Sequence, residues 1–309
     1  MAHSVSGECE AMRDGGPAHG FLVGEDYHLG DLLWLTAVLY EYRRQVRPRE
    51  LVVGCPDRPI SRILEHNPVI DTLLYGAGDD LAVALRQRCG SPTVVHDLRP
   101  RALALAMLRD WRHHWPWLYY RDLWIQARGQ WLATFLHLEP MRRFRPVLAL
   151  REEDREVART LPRPYVALAP HIGQYRFPLA GWLWRHIKGW QPAAWARLAR
   201  LLRAEGYEPL TLAAADQAAI PGTTPLLGLP VRQVAGVIEG ATALVSVESG
   251  LWFVAAACGT PFLIVPWWLP CSVVWAAPMQ VPHCLVTRRE ATVGGVLARF
   301  RELVACERA

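Results

Sequence analysis

Short apolar segments alternate along this chain with segments of helical periodicity, and this alternation limits the fold more than any other feature. Several of the apolar segments carry no polar residue, which is typical of strands buried on both faces of a parallel sheet. We therefore predict an α/β fold with right-handed strand–helix–strand connections. The predicted strands are Phe21–Gly24, Leu51–Gly54, Thr72–Tyr75, Thr93–Asp97, Tyr165–Ala169, Leu210–Ala213, Ala243–Val247, Phe262–Val265 and Cys284–Thr287.

One helix is predicted in detail from the spacing of its side chains. Apolar residues share one of its faces and arginines another, which is the pattern of a helix packed on a sheet. Gly206 is predicted to end this helix as a C-terminal cap. The apolar face consists of Trp195, Leu198, Leu201 and Leu202, and the basic face of Arg197, Arg200 and Arg203.

A proline- and arginine-rich segment, residues 142–164, divides the chain. The 309 residues, 51% of them hydrophobic, are enough for two domains. We predict an N-terminal Rossmann-like acceptor domain over 20–150 and a C-terminal Rossmann-like donor domain over 151–309. The polar, glycine-rich residues 1–19 are predicted to be flexible, and the helical pattern Val293–Val304 is compatible with either domain.

Charge, cysteine content and proline spacing exclude several classes of protein. The net charge of +5 suits an anionic ligand or membrane surface, but it is too small and dispersed to favour nucleic-acid binding. The seven cysteines include no C-x-x-C pair, so we expect a reducing cytoplasm and neither a disulfide framework nor a zinc site. Residues 249–287 are uncharged, but prolines and glycines interrupt them. They predict a buried helix, a buried strand and a proline-rich loop, because a membrane span needs a continuous helix.

The first candidate site follows the first predicted strand. Gly30 permits a tight turn there, and Asp31 lies at the start of an apolar helix, where the helix dipole stabilises a carboxylate. Asp31 is either a helix cap or a general base that accepts a proton from an attacking hydroxyl. Glu25 and Asp26 are rival bases in the same loop, and His28 is a further candidate.

The second candidate site is the turn from strand Ala243–Val247 into a small-residue helix. Gly250 lets a ligand approach the backbone, and the first amides of the helix, from Leu251 onward, suit a diphosphate. Glu248 is positioned in the sequence to accept hydrogen bonds from sugar hydroxyls. The alternative is an ordinary strand–turn–helix joint capped by Ser249. The glycine spacing is not G-x-G-x-x-G, and the chain has no Walker sequence.

The third candidate site follows strand Tyr165–Ala169. Lys188 precedes a helix with Pro192 in its first turn, so its ammonium group could neutralise a phosphate. A solvated lysine is the alternative, and Arg176 is a competing phosphate ligand. Gly173 and Asp216 complete the donor-binding candidates.

These segments, in this order, resemble glycosyltransferase family 9, the bacterial heptosyltransferases, over about residues 20–300. The first site resembles the family's Gly-Asp pair before a long helix, and residues 67–71 resemble its Asn-Pro-x-(Ile/Val)-Asp segment. Residues 188–192 resemble its Lys-x-Trp-Pro motif with one extra residue before the proline. Its signature Asp-(Thr/Ser)-Gly-x-x-His-Leu-Ala-Ala-Ala-x-Gly-Thr-Pro corresponds to Glu-Ser-Gly-Leu-Trp-Phe-Val-Ala-Ala-Ala-Cys-Gly-Thr-Pro at 248–261.

The resemblance implies a GT-B fold, two Rossmann-like domains facing each other across a cleft. It also implies an inverting, metal-independent transfer from an ADP-heptose-type donor, with no cofactor. Asp31 is then the base, with Gly30 and His28 on the acceptor side. Lys188 and the turn Ser249-Gly250-Leu251 then hold the diphosphate, and Glu248 meets the donor sugar.

Three departures from the family pattern concern the donor sugar more than the fold. Glu248 replaces an aspartate and is one methylene longer, and Phe253 replaces a histidine and cannot hydrogen-bond. The stretch Gln174–Ile187 is longer and richer in tryptophan than expected. A nucleotide-sugar binding protein without transferase activity and a GT-B-type sugar epimerase are therefore the alternatives.

The segment Asp110–Arg121 mixes aromatic and basic residues in the first domain. It is either a surface for a lipid-linked anionic saccharide at a membrane or a partly buried helix or loop. A soluble natural product is an equally admissible acceptor. We expect a cytoplasmic protein, with or without peripheral contact at the inner membrane face, and no nucleic-acid partner.

Overall fold

The computed structural model describes residues 7–9, 12, 16–90, 94–99, 136–139, 141–172, 189–267 and 279–308. The chain forms two compact units, Met1–Ala149 and Leu150–Ala309. The described part of each unit contains one sheet, and both sheets are parallel throughout.

The first unit contains a four-stranded sheet with the strand order β3-β2-β1-β4. Helix α1 connects β1 to β2, a 3-10 helix lies between β2 and β3, and helix α2 precedes β4 along the chain. Leu81 and Leu85 of α2 pack against the sheet with Leu22 and Val52. The bounds are β1 Ala18–Leu22, α1 Leu29–Val46, β2 Glu50–Pro56, the 3-10 helix Pro59–Leu64, β3 Thr72–Gly76, α2 Gly78–Cys89 and β4 Val94–Asp97.

Helix α1 is buried along most of its length, including its carboxylate Glu41, which is 0% exposed. This buried charge is compensated, because Glu41 accepts hydrogen bonds from the Arg44 guanidinium and from the backbone amides of Arg142 and Arg143. Thr36 likewise accepts a bond from the Val147 amide at 2.8 Å. The segment Arg142–Val147, which leads toward the second unit, is thus hydrogen-bonded to side chains of α1.

Strand β1 begins at Ala18, three residues before its predicted start at Phe21, and it includes the buried His19. The Nδ1 atom of His19 lies 2.6 Å from the hydroxyl of Tyr42, and that hydroxyl lies 2.7 Å from Nε2 of His96. These bonds satisfy polar groups that would otherwise be costly between sheet and helix. The strand therefore includes Ala18 and His19, at the end of the segment predicted to be flexible.

The second unit contains a six-stranded sheet with the strand order β10-β9-β8-β5-β6-β7. Its strands are β5 Tyr165–Ala169, β6 Glu208–Ala213, β7 Thr224–Leu227, β8 Ala243–Ser246, β9 Phe262–Trp267 and β10 His283–Thr287. Its helices are the 3-10 turn Glu153–Arg155, α3 Glu156–Arg159, α4 Pro192–Ala204, α5 Val231–Glu239, α6 Leu251–Cys258 and α7 Val293–Arg308.

Helices α4 and α7 contribute to one core cluster on this sheet. Trp195, Leu198 and Leu202 of α4 are buried there, as are Val296 and Phe300 of α7. The amphipathic helix predicted from these positions is confirmed, and Gly206 follows it with a φ of 87°, as expected for a terminal glycine. The final helix packs within the second unit, against α4, β9 and β10.

The edge strand β7 was not predicted. It alternates between half-buried and exposed positions and contains Pro225, a residue that removes a ladder donor and is tolerated at sheet edges. The uncharged stretch contains the predicted helix and strand, α6 and β9, and residues 268–278 of its proline-rich loop lie outside the described residues. None of the helices in the described ranges has the length and apolarity that crossing a membrane requires.

Candidate functional site

The strand order of the second sheet reverses between β5 and β8. From β5 the chain adds β6 and then β7 on one side, whereas β8, β9 and β10 follow on the other. Ligands of open α/β sheets bind at the carboxyl ends of the strands where the order reverses. The Val247 amide donates to the Ala169 carbonyl at 3.1 Å, which joins the ends of the two strands. The predicted segment Glu248–Leu251 begins with the residue after Val247.

The turn after β8 is stabilised by its serine hydroxyls. The Ser246 hydroxyl is buried and donates to the Val247 carbonyl at 2.6 Å, and its oxygen lies 3.0 Å from that of Ser249. Since Ser246 has only one proton, Ser249 is the donor in that pair. Ser249 also accepts a 3.4 Å bond from the Leu251 amide. Hydrogen bonds among its own residues thus stabilise the turn. Gly250 is the N-cap of α6.

His171 is a residue of this edge that the sequence-based site prediction missed. It follows β5, and its Nε2 lies 2.8 Å from the carbonyl oxygen of Ala218 in the connection after β6. A carbonyl only accepts, so Nε2 carries the proton in this pair. Asp216, a predicted donor ligand, is exposed in the same connection. The available signal in the sequence was the position of His171, two residues beyond the end of a predicted buried strand.

Phe253, which occupies the position of the family's histidine, lies in the interior. It is 5% exposed, and its ring is stacked on that of Trp252 with 3.8 Å between the centroids. Trp252 in turn packs on Phe262 of β9. The aromatic pair therefore supports the first turn of α6 by packing.

Three predicted donor ligands, Gly173, Arg176 and Lys188, lie outside the described residues, as do the segments Asp110–Arg121 and Gln174–Ile187. The chain is described again from Gly189 onward. Trp190 donates from its indole nitrogen to the Ala291 carbonyl at 2.9 Å and packs edge-on against Trp195. Helix α4 then begins at Pro192, which confirms its predicted place in the first turn.

The first sheet reverses its strand order between β1 and β4. The loop after β1 and the first turn of α1 contain the residues of the first candidate site. Tyr27 in this loop donates from its hydroxyl to the Leu98 carbonyl at 3.2 Å, just after β4. The Leu98 amide donates to the Leu22 carbonyl at 2.8 Å. Both sheets therefore have predicted site residues at the reversal of strand order.

Asp31 is the third residue of α1, and its Oδ2 accepts a 3.0 Å hydrogen bond from the backbone amide of His28. It therefore caps the helix, although His28 and not Asp31 is the N-cap residue. The prediction of a tight turn at Gly30 is wrong, because Gly30 is buried inside the first turn of helix α1. Glu25 and Asp26, the rival bases, are exposed.

Arg58 is a second residue of the site that the sequence-based prediction missed. It precedes the 3-10 helix after β2, and its guanidinium donates to the backbone carbonyls of Glu25 and Tyr27. Sequence alone had no signal for this contact, because Arg58 lies 31 positions from Tyr27 along the chain.

Arg99 binds two acidic residues, Asp97 at the end of β4 and Asp79 at the start of α2. Burial by itself would raise the pKa of Asp97, but the hydrogen bonds and charge of Arg99 outweigh it and lower the pKa below its usual value. Arg99 also bonds to Asp79 at the start of α2, at 3.1 Å. Within the described ranges, no group of three or more His, Cys, Asp or Glu side chains is arranged to hold a metal ion.

Neither a protein-family model nor a curated protein matches this sequence. Solved structures do. Glycosyl transferase family 9 from Veillonella parvula superposes with a TM-score of 0.68 at 15% identity, covering 94% of this chain and 97% of that one. E. coli ADP-heptose lps heptosyltransferase II gives 0.62 at 17%, with 95% and 100% covered. E. coli heptosyltransferase WaaC with ADP gives 0.59 at 16%, with 93% and 99% covered.

The fold is that of the family 9 glycosyltransferases. The sequence-based resemblance and the predicted α/β, GT-B class with two Rossmann-like domains are thereby confirmed. At identities of 15–17% the likeness concerns the fold, and the activity must be argued from the residues at the strand ends.

Proposed function

We propose that this protein is an inverting glycosyltransferase that moves a sugar, a heptose, from an ADP-heptose-type donor to an acceptor hydroxyl. The observation that carries the proposal is that, in both sheets, the predicted site residues follow a strand at which the strand order reverses. Asp31 follows the strand at one reversal, and Glu248–Leu251 follow the strand at the other. The fold shared with an ADP-heptose heptosyltransferase and with a heptosyltransferase that binds ADP supports this donor class.

The second unit supplies the donor chemistry. The first amides of an α-helix have no intrahelical acceptor, and together with the helix dipole they attract anions. In α6 the amides that follow Gly250, a residue without a side chain, are assigned to the diphosphate; the Leu251 amide among them also makes a long, 3.4 Å bond to Ser249. Glu248 is half-buried beside this turn and is assigned to the sugar hydroxyls. Lys188 is assigned to the phosphates as a point charge.

The first unit supplies the base. In the transfer, the acceptor oxygen forms a bond to the anomeric carbon, while the bond to the diphosphate breaks and its electron pair goes to the leaving oxygen. Asp31 takes the acceptor proton, a contribution of about 10²–10⁴-fold in rate. Negative charge grows on the departing phosphate, where Lys188 and the helix amides stabilise it. No metal ion is required in this scheme.

The decisive experiment is a transfer assay with purified full-length protein. We expect ADP release that requires both an ADP-sugar and an acceptor, and a product whose anomeric configuration is opposite to that of the donor. The acceptor set contains a lipid-linked saccharide in anionic vesicles and soluble hydroxylated natural products, so the same assay separates the two acceptor classes. An isomerised donor without acceptor would instead identify an epimerase.

A nucleotide-sugar binding protein without transferase activity is the second candidate. The observation that favours it is Phe253, whose buried ring cannot hydrogen-bond at the position where the family signature has histidine. A thermal-shift screen of nucleotide sugars addresses both candidates, since a ligand at 100 times its Kd adds about 2.7 kcal/mol to native-state stability. Stabilisation by an ADP-sugar with no turnover on any acceptor would favour the binding protein.

A further inference from the structure

The loop between β1 and α1 is held by a side chain from the next strand. Arg58, after β2, donates one guanidinium hydrogen bond to the Glu25 carbonyl and another to the Tyr27 carbonyl. Two nitrogens of a rigid planar fork thus engage two carbonyls that are two residues apart. On the opposite side, the Tyr27 hydroxyl is bonded to the Leu98 carbonyl. The loop is therefore fixed from both neighbouring strands.

One of these carbonyls belongs to the same peptide group as the amide that binds Asp31. The peptide between Tyr27 and His28 accepts a bond from Arg58 through its oxygen and donates a 3.0 Å bond to Asp31 Oδ2 through its nitrogen. Because a peptide group is planar, fixing its oxygen also fixes the direction of its N–H. Hydrogen bonds in such a chain also polarise and strengthen one another.

We propose that Arg58 is a positioning residue for Asp31 and acts through the Tyr27–His28 peptide. The inference rests on the proposed transferase function, in which Asp31 must meet the acceptor hydroxyl. The guanidinium orients the peptide, the peptide holds one carboxylate oxygen, and the carboxylate thereby keeps the direction that proton transfer requires. A misplacement of about 1 Å at a reacting group can cost about 10²-fold in rate.

The kinetic test compares Arg58→Ala, Arg58→Lys and the control Arg62→Ala. Arg62 lies on the 3-10 helix that Arg58 precedes, and its described contacts are with Asp57, Glu65 and Tyr75 and not with the β1–α1 loop. We expect Arg58→Ala to lower kcat by about 10- to 100-fold with an unchanged donor Kd. Arg58→Lys should recover part of kcat, because an ammonium group can donate to one of the two carbonyls but cannot reproduce the two-pronged geometry of the guanidinium. Arg62→Ala should behave as the wild type.

A double-mutant cycle tests whether the effect passes through Asp31. If it does, Arg58→Ala adds no further loss of turnover in an Asp31→Ala background. An equal loss in both backgrounds would overturn the proposal, as would a weaker donor Kd with unchanged kcat. Equal kcat values for the Ala variants at 58 and 62 would also overturn it.

Amide hydrogen exchange tests the link without turnover. We expect the His28 amide to exchange at least about 10-fold faster in Arg58→Ala than in the wild type, and to be unchanged in Arg62→Ala. Unchanged exchange in Arg58→Ala would overturn the positioning role even if transfer is observed. Conversely, a wild-type protein without transfer would overturn the proposed function, while faster His28 exchange would still establish the link to Asp31.

Discussion

The backbone amide of His28 donates a hydrogen bond to Oδ2 of Asp31 at 3.0 Å, so the carboxylate assigned as the base also caps helix α1. The two roles considered from the sequence, cap and base, are therefore compatible in one side chain. They can be separated experimentally, because an amide retains a cap acceptor but not a basic carboxylate.

Asp31→Asn should keep the cap and lose the base. We expect turnover to fall by about 10²–10⁴-fold, with a melting temperature close to that of the wild type. Asp31→Ala should lose as much turnover and in addition about 1 kcal/mol of stability through loss of the cap. Steady-state kinetics and thermal unfolding of both variants provide the check. Normal turnover in Asp31→Asn would contradict the assignment of the base.

Glu248 should distinguish a nucleotide sugar from the nucleotide itself. Glu248→Gln keeps the length of the side chain but replaces strong charged acceptors of sugar hydroxyl bonds with a neutral amide. We therefore expect weaker binding of the ADP-sugar, by about 10-fold, and unchanged binding of ADP, measured by titration calorimetry. Equal weakening of both ligands would mean that Glu248 does not meet the sugar.

The His19–Tyr42–His96 cluster should make the protein sensitive to mild acid. Burial, followed by the charges of His19 and His137, lowers the pKa of His96 to about 4, and burial also lowers that of His19. The unfolded chain, with a histidine pKa of about 6.5, then binds more protons than the native state between these values. The stabilising contribution is complete above about pH 6.5 and falls by about 3 kcal/mol toward pH 4.

His96→Gln should flatten this dependence, since the amide can bond to Tyr42 without titrating. The matched control is the exposed His66, whose positive φ of 60° suits asparagine, so His66→Asn should retain the acid sensitivity. Denaturant unfolding at pH 4, 5, 6 and 7 measures the free energy of each variant. A slope in His96→Gln as steep as in the wild type would assign the acid sensitivity to other groups.

Gly236 in α5 should not tolerate alanine. A Cβ there would lie 2.1 Å from the Asp154 carbonyl oxygen, so the 3-10 turn would have to move, at an expected cost of about 1–3 kcal/mol. Gly294 in the first turn of α7 has no neighbouring atom within 4 Å of the same position. Gly294→Ala should therefore be neutral or stabilising by up to about 1 kcal/mol, as helix propensity predicts. Thermal unfolding of the pair checks both signs.

The buried strands and the best-patterned helices could be predicted from the sequence. Strand Tyr165–Ala169 has its predicted bounds, and α4 begins at Pro192 and ends before Gly206 as expected. These elements carry their own local signals: continuous apolar runs, proline in a first turn, and glycine after a last turn. Strand β7 lacks such signals because an edge strand needs only one neighbour and tolerates proline.

The residues of the candidate site likewise fall into those that the sequence predicted and those that only the structure revealed. Asp31 and the segment Glu248–Leu251 were found from the sequence because each follows a strand and opens a helix, a local pattern with a known chemical use. The roles of His171 and Arg58 depend on contacts with Ala218 and with Glu25 and Tyr27, residues far away along the chain. The position of His171 just beyond a buried strand is a signal for a site residue, but neither a histidine nor an arginine in a loop carries a signal for the contact itself.

The sequence by itself determined the strand–helix alternation and the positions of the helix-opening turns, since periodicity and turn residues act over a few neighbours. Only the tertiary structure decided the strand order, and with it which turns share a sheet edge. Strand pairing brings together residues distant in sequence, and hydrogen bonds such as that from Arg58 to Tyr27 exist only after that pairing.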